Sequence, residues 1–225
     1  MFLGSNISVG NRAIWAAVGA PSTGSLLDKS GKGHVLSLAG DTALALDPAD
    51  SGNWVISMDG TGDYFSTAYD SDFIFTNLTT WTMSFLVRFN TVASSQNICE
   101  KTDGDATAEG FQLYYHAGSG AIRFIADQAV IQGTTSISAD TWYHVVVTCD
   151  GGTMRLYVDS NLEDSLTGVL TNYTGDMKFG VQTDGLQLYM NGYQDNINIS
   201  QGIVRSAAIS DIILDAYTVL ALDFE

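Results

Sequence analysis

Residues 142–159 constrain the fold of this chain more than any other stretch, because they form the pattern of two strands joined by a tight turn. Val145 and Val147 share one face of the first run, and a second alternating run follows the turn. Successive side chains of a strand point to opposite faces, so a period of two predicts one buried row. The Asp150-Gly151 pair lies between the runs, where such a pair typically closes a β-hairpin. The segment therefore predicts a hairpin within a strand-rich fold.

The run 81–89 alternates as cleanly, with an apolar row on one face and Thr82, Ser84 and Arg88 on the other, less buried face. The sequence shows many short predicted strands and no long helical periodicity, which indicates a sandwich or jelly roll. Further strands are predicted near 35–38, 43–46, 54–66, 96–101, 111–116, 121–127, 176–182, 186–191, 195–200 and 217–224, with a short helix at 209–216. The predicted core consists of Trp81, Met83, Phe85, Val87, Val145, Val147, Leu156 and Val158.

The domain organisation follows from where these patterns begin. A chain of 225 residues is compatible with a single all-β domain. Residues 1–24 carry Ile7, Ile14 and Trp15 among small and polar residues without a strand register, which predicts an N-terminal arm. Residues 25–225 then form the body, including a closing C-terminal strand.

The charge balance excludes several classes of partner. The chain has 25 acidic residues against nine Lys and Arg, a formal net charge of −16. Such a surface repels nucleic-acid backbones and anionic membranes, so neither is an expected partner. The sequence has no apolar run of about 20 residues that could span a membrane. Its first ten residues do not resemble a secretory signal, so we expect it to stay in the producing cell or leave by assembly or lysis.

Two cysteines do not make a disulfide framework in a chain of this length. Cys99 and Cys149 fall in different predicted strands. Unpaired cysteine packs as a small hydrophobic residue, so two buried free thiols are favoured over a bridge. The pairing stays open at this point.

Four segments, in order, resemble the laminin-G-like domains of the concanavalin A-like superfamily: residues 58–64, 81–85, 142–159 and 191–200. The resemblance spans about 54–206 and implies an all-β, two-sheet antiparallel jelly-roll sandwich. The ending, with Arg205 and then 217–225, is similar to laminin-G-like proteins of phage tails and virions. A fold alone does not specify a function.

Catalytic motifs are missing from the sequence. Glycoside hydrolases on this fold carry paired carboxylates spaced so that both reach a groove, often as E-x-D-x-x-E, and no such run occurs. The chain also lacks H-E-x-x-H and G-x-S-x-G, and His144 alternates within a valine-rich strand. We predict that the chain is not an enzyme.

Calcium is the cofactor that the resemblance implies, held at the sandwich edge by carboxylates and carbonyls. Asp195, in the last matching segment, is the expected ligand, with Asp63 and Asp59 of the Gly-rich turn as partners. A turn and an acidic loop can supply the six to eight oxygens that Ca²⁺ prefers. Asp59 and Asp63 are also typical turn residues, so a purely structural role stays open.

A glycan site would combine exposed aromatic rings with amides. Tyr157, Tyr189 and Tyr193 are predicted on solvent-facing registers or loop ends, with Asn191 nearby as a further glycan or partner contact. Tyr114 and Tyr115 are predicted to face solvent as well. Packing against a neighbouring strand or a second copy is the alternative role for these rings.

These observations lead to a non-catalytic surface module. The leading hypothesis is a phage or virus structural protein, a capsid decoration protein or tail-surface adhesin, assembled in the host cytoplasm and displayed on the virion surface. Its partners would be other virion proteins or further copies of itself, as a homo-oligomer, together with surface polysaccharide. The alternatives are a free, extracellular lectin that binds carbohydrate with or without calcium, and a degenerate relative of the glycosidases.

Overall fold

Two antiparallel β-sheets make up the part of the chain that the computed structural model describes, which is residues 26, 28–50, 52–102, 109–127, 129–183, 187–207 and 218–222. The strands are β1 (Leu36–Ala39), β2 (Ala43–Leu46), β3 (Trp54–Asp59), β4 (Tyr64–Thr67), β5 (Trp81–Phe89), β6 (Gln96–Thr102), β7 (Gly110–His116), β8 (Ala121–Ala126), β9 (Ala129–Gln132), β10 (Trp142–Asp150), β11 (Thr153–Val158), β12 (Asn161–Thr167), β13 (Met177–Phe179), β14 (Asn191–Gln201) and β15 (Thr218–Leu222).

The seven-stranded sheet has the order β1-β4-β13-β6-β7-β8-β9, and the eight-stranded sheet has the order β12-β11-β10-β5-β14-β3-β2 with β15 added on β14. The apolar rows of both sheets form a single core. Aromatic side chains such as Phe85, Phe179 and Phe111 fill it. All eight predicted core residues are buried, so the predicted two-sheet sandwich and its interior are confirmed.

The predicted hairpin is present as β10 and β11, but its turn lies one residue later than expected. Asp150 pairs with Thr153, so Asp150 still belongs to the strand and Gly151 and Gly152 form the loop. Their φ angles are 55° and 82°, and a two-residue turn with both central residues at positive φ matches the twist of the flanking strands. Two consecutive glycines adopt these angles with less strain than an Asp-Gly pair.

Several strand boundaries differ from the sequence-based expectation. β13 covers only Met177–Phe179 of the predicted 176–182, and β14 begins at Asn191 and not at 195. Instead of a strand at 186–191, the described part of this segment makes one isolated bridge between Gln187 and Gln182. Strands β9 and β12 were not predicted. The expected closing strand is observed as β15, whereas the predicted arm at 1–24 and helix at 209–216 lie outside the described residues.

Thr82, Ser84 and Arg88 lie on the less buried face of β5, as expected, but this face is much more covered than the alternation suggests. Their exposed fractions are 1%, 8% and 8%. Residues 202–207, which we call the strap, cross this outer face of the eight-stranded sheet. Thr82 Oγ1 donates to the Ile203 carbonyl and accepts from the backbone N–H of Arg205, at 3.1 and 3.0 Å. The strap therefore covers Thr82, which a two-layer sandwich would leave in water, whereas Arg88, at the other end of β5, is covered by Tyr193 and Asp140.

The two sheets are also joined along one edge. Asp164 on β12 accepts a hydrogen bond from the backbone N–H of Gln132 on β9. Glu163, its neighbour on β12, accepts from the backbone N–H and the hydroxyl of Thr135. Because β9 and β12 are the last strands of their sheets, these bonds close one side of the sandwich. No helix in the described residues has the length and apolar character needed to cross a membrane.

Candidate functional site

Three carboxylates converge where two turns of the sandwich meet. Asp41 follows β1, and Asp59 and Asp63 flank the Gly-rich turn between β3 and β4. Carboxylate oxygens of all three lie within 4.8 Å of one another. We call Asp41, Asp59 and Asp63 the acidic turn cluster. None of the ion pairs found among the described residues involves them.

Asp63 holds the two turns of this cluster together. Its Oδ1 accepts a hydrogen bond from the Asp41 backbone N–H at 2.8 Å, and its Oδ2 accepts from the Asp59 backbone N–H at 2.9 Å. Any side chain at Gly40 would collide with this carboxylate. Burial raises the pKa of Asp63, and the hydrogen bond from Asp59 opposes that rise. Asp63 is thus partly structural, while Asp41 and Asp59 are exposed, and Asp59 Oδ1 accepts a hydrogen bond from the Thr61 backbone N–H at 2.7 Å.

Predicted glycan contacts lie directly beside the acidic turn cluster. On β14, Asn191 pairs with Asp59 of β3, and Tyr193 pairs with Ser57 of β3. Ser57 and Asp59 are two residues apart, so their side chains lie on the same face of β3. Asn191 and Tyr193 are two residues apart on one strand, so both side chains point to the outer face of the eight-stranded sheet. The Asn191 side chain also accepts a hydrogen bond from the Asn90 amide at 3.0 Å.

Arg88 extends this surface on the next strand, β5. Its guanidinium carbon lies 5.3 Å from the centroid of the Tyr193 ring, and its Nη2 donates to Asp140 Oδ1 at 2.8 Å. The Arg88 Nε is buried and has no hydrogen-bond partner in the structure. Trp142, the register partner of Arg88 on β10, is half-buried on the same face. We call the surface formed by Asp59, Asn191, Tyr193, Arg88 and Asp140 the rim surface.

The structure does not bring every predicted site residue to the rim surface. Asp195 lies further along β14, at a bulge, where its Oδ1 accepts from the backbone N–H of Asn196 at 2.7 Å. It belongs to neither group of converging metal-ligand atoms in the described residues. Tyr189 precedes β14 in a loop, and Tyr157 lies on β11, opposite Val146 and three strands away from β14.

Tyr114 and Tyr115 do not face solvent, contrary to the sequence-based expectation. Their exposed fractions are 7% and 2%. The Tyr115 ring packs 5.4 Å from that of Phe89, and its hydroxyl donates to the Val92 carbonyl. A tyrosine can face the core when its hydroxyl reaches a backbone acceptor at the margin, which alternation alone does not reveal.

The buried Ser84–His144 pair and Glu100 are the polar groups whose residue types are common in catalytic sites, but their contacts are structural. Ser84 Oγ and His144 Nε2 are 2.9 Å apart, but both side chains are buried. Asp159 accepts from the backbone N–H of His144 and not from a ring nitrogen, so these residues do not form a hydrolytic triad. Glu100 is buried and accepts from the Thr183 backbone N–H and the Gln112 amide.

Sequence reasoning missed Arg88, Asp140 and Asp41. Arg88 was placed on the correct face of its strand but not beside Tyr193, because β5 and β14 pair across more than 100 residues of chain. Asp140 lies in a turn at a φ of 60°. A positive φ is enriched for Asp and Asn, but the sequence does not reveal which residue such a turn will face.

The chain is similar to a known family and to solved structures. The model of the concanavalin A-like lectin/glucanases superfamily matches residues 59–210. A comparison with curated proteins finds no match. Among solved structures, the binding domain of botulinum neurotoxin serotype G is 15% identical with a TM-score of 0.59, over 82% of this chain and 49% of that one. This chain therefore spans about half the length of that binding domain.

Two smaller domains match over nearly their whole length. Domain 4 of the GH43 extracellular arabinanase AbnA from Geobacillus stearothermophilus, solved in complex with arabinotriose, is 14% identical with a TM-score of 0.62, over 84% of this chain and 97% of that one. The Ruminococcus gnavus IT-sialidase CBM40, bound to α2,3-sialyllactose, is 12% identical with a TM-score of 0.53, over 70% and 96%. At these identities the similarity shows the fold alone.

Proposed function

The chain belongs to the concanavalin A-like lectin/glucanases superfamily, and on that premise we propose that it is a non-catalytic module that binds carbohydrate at the rim surface. The observation that carries this proposal is the Arg88–Asp140 pair beside the ring of Tyr193. Arg88 fixes the exposed Asp140 carboxylate, which can accept hydrogen bonds from sugar hydroxyls, while an aromatic ring contacts the apolar face of the sugar. Carbohydrate-bound structures of the same fold support the proposal.

The preferred ligand class is neutral glycan. The net charge of −16 and the exposed carboxylates of Asp41 and Asp59 repel polyanionic chains. The Arg88 side chain is only 10% exposed and is paired with Asp140, so it leaves no free positive charge for an acidic sugar. Neutral hexose or pentose polymers fit these conditions.

A glycan array with the purified protein tests this function. We expect binding to neutral glycans, and we expect Tyr193→Ala to weaken it at least about tenfold, or about 1.4 kcal/mol. Tyr157→Ala is the matched control, since that ring is also half-buried on the eight-stranded sheet but lies away from the rim surface. Unchanged binding by the Tyr193 variant, or equal loss in both variants, would show that the rim surface is not the site.

We also propose that the acidic turn cluster binds Ca²⁺ and steadies the rim surface. The residues fit this ion, because their donors are all hard carboxylate oxygens and two of the three are exposed. Asp59 would hold the ion next to Asn191, its register partner. Bound calcium would order the turn that carries Asp59 without taking part in any reaction.

Thermal melts with calcium and with chelator test the ion. At a calcium concentration a hundredfold above the Kd, binding to the folded state alone adds about 2.7 kcal/mol. Asp59→Asn is expected to remove this response, and Asp195→Asn to retain it. If the wild type melts at the same temperature with calcium and with chelator, it does not bind calcium. If only the Asp195 variant loses the calcium response, Asp195 is the ligand, as expected from the sequence.

A virion-surface role is a second candidate. One structural observation favours it: β15 lies beyond the family match at 59–210, yet it pairs with β14 and buries Leu220 and Leu222. The closing strand that resembles virion proteins is therefore built into the body. Co-sedimentation with particles would support assembly with other virion proteins or copies of itself, whereas a free protein that binds glycan would support the extracellular lectin.

A further inference from the structure

A histidine and two aspartates converge at a place separate from the rim surface. His34 lies in the loop before β1, and Asp70 and Asp72 belong to the short 3-10 turn Ser71–Phe73 and its N-cap. One ring nitrogen and one oxygen from each carboxylate all lie within 4.8 Å of one another. None of these residues contributes to the proposed glycan or calcium sites.

The His34 ring nitrogen that faces the aspartates lacks a hydrogen bond. The side chain is 7% exposed, and its Nε2 has no hydrogen-bond partner although Asp72 Oδ2 lies 3.4 Å away. The ring packs against Phe73, with centroids 4.4 Å apart. A buried polar atom without a hydrogen bond is costly, so a ligand bound at this position would stabilise it.

The donors are held in place by hydrogen bonds that leave their ligand atoms available. The His34 backbone N–H donates to Asp28 Oδ2 at 3.1 Å, which fixes the loop. Asp70 Oδ1 accepts from the Asp72 backbone N–H at 2.8 Å as the cap of the turn. One oxygen each of Asp70 and Asp72, together with a ring nitrogen of His34, could then converge on an ion.

We propose that His34, Asp70 and Asp72 form a binding site for a divalent transition-metal ion, with Zn²⁺ as the reference metal. One imidazole nitrogen with two carboxylate oxygens is a donor set that Zn²⁺ accepts, with water completing the coordination. Calcium prefers six to eight oxygens and has little affinity for imidazole, so it favours the acidic turn cluster. The two clusters thus select different metals.

The Lys32 ammonium competes with a metal ion for the Asp72 carboxylate. Its Nζ lies 3.5 Å from Asp72 Oδ2, and its side chain is 40% exposed. An exposed ammonium on a flexible chain can move into water when a metal arrives, but its charge opposes the ion. Removing that charge should therefore strengthen metal binding.

Metal binding here would link the loop before β1 to the 3-10 turn after β4. Only the folded chain brings the three donors together, so bound metal stabilises this corner of the sandwich. Unlike the proposed glycan site, the effect requires no carbohydrate, and the two proposals can fail separately.

Isothermal titration of the full chain with ZnCl₂ in chelator-free buffer tests the site. We expect one zinc per chain, with at least about tenfold weaker binding in His34→Gln and in Asp72→Asn, since even outer-shell changes at metal sites cost that much. Lys32→Met should bind more tightly than the wild type. His116→Gln, in which a histidine away from Asp70 and Asp72 is changed, should bind as the wild type does.

The outcomes that overturn the proposal are equally specific. No zinc binding by the wild type, or wild-type affinity in both His34→Gln and Asp72→Asn, rules out the site. If His34→Gln does not fold, Asp72→Asn and Lys32→Met still give opposite shifts when the proposal is correct. Asp59→Asn must leave zinc binding unchanged, because a loss there would place zinc in the acidic turn cluster.

Discussion

His144, a buried polar side chain beneath the strap, is expected to contribute to the response of this protein to acid. His144 Nε2 and Ser84 Oγ are 2.9 Å apart, and the ring also makes a hydrogen bond to the Ala207 backbone. A neutral imidazole has one donor and one acceptor nitrogen, which suits a carbonyl on one side and a hydroxyl on the other. Burial lowers the pKa of His144, and the nearby Asp159 carboxylate opposes this effect.

Acid should therefore destabilise the fold through His144. Its folded pKa lies below the unfolded value of about 6.5, so the unfolded chain takes up the proton first as the pH falls. The neutral, buried His144 therefore contributes its full stabilisation above the unfolded pKa. This contribution decreases as the pH falls from the unfolded pKa to the folded pKa. Urea unfolding between pH 7.5 and 5.5 measures this, and His144→Asn should flatten the profile.

A second histidine provides the control for this prediction. Burial also lowers the pKa of His116, on the other sheet, and the charge of Arg123 adds to that effect. His116→Asn therefore measures how much His116 contributes to the loss of stability in acid. A profile in His144→Asn as steep as in the wild type would mean that His144 does not dominate the acid response.

Phe85 tests the packing of the core at a single residue. Its side chain is fully buried, and its ring lies 6.5 Å from that of Phe179 on the opposite sheet. Phe85→Ala should lower the free energy of unfolding by about 3–5 kcal/mol, since it removes buried apolar atoms and leaves a cavity. Phe85→Leu, which keeps more of the volume, should cost less in the same denaturation experiment. An unchanged midpoint in the alanine variant would contradict the observed packing.

The site residues were predictable to the extent that they depend on local sequence. Asp59 and Asp63 follow from the Gly-rich turn, and Tyr193 and Asn191 from the alternation of the last matching segment. Arg88 could not be assigned to them, because its position depends on which strands pair and not on its own strand. Asp195 is next to a bulge, where one extra residue changes the local geometry and redirects side chains.

Among the elements, those with strong β-formers were predictable and those without were not. The β10–β11 hairpin and β5 carry valines and aromatics in strict alternation, and the side chains predicted to face the core do so, although the hairpin turn lies one residue later than expected. Strand β12 reads Asn-Leu-Glu-Asp-Ser-Leu-Thr and is mostly exposed, so neither propensity nor periodicity indicates it. It exists because β11 offers an edge, Gln132 on β9 donates to Asp164, and Thr135, in the segment after β9, donates to Glu163.

The strap depends on Thr82, whose hydroxyl both donates to and accepts from its backbone. Thr82→Val keeps the shape of the side chain but leaves the Arg205 N–H and the Ile203 carbonyl without this partner. We expect a loss of about 1–3 kcal/mol in stability and faster hydrogen exchange at the Arg205 amide. Thr82→Ser retains the hydroxyl and should retain slow exchange. Equal exchange in the valine and serine variants would show that the strap is held by other contacts.

At the scale of the whole molecule, residues 1–24 remain a predicted arm. A neighbouring chain could bury Ile7, Ile14 and Trp15, at about 25 cal/mol per Å² of apolar surface. Deleting 1–24 should leave the melting temperature of the body nearly unchanged and abolish oligomerisation or particle attachment. Size measurement and melting of the truncated chain check both parts. Failure of the truncated chain to fold would make the segment a strand of the sandwich.

The placement of the two cysteines leaves the fold without a disulfide bond between them. Cys99 lies in the seven-stranded sheet and Cys149 in the eight-stranded sheet, and both are buried and free. Burial raises the pKa of both thiols, which keeps them from forming the reactive thiolate. Stability therefore requires neither an oxidant nor a reductant. We therefore expect the melting temperature of the folded body to be the same with and without a thiol reductant.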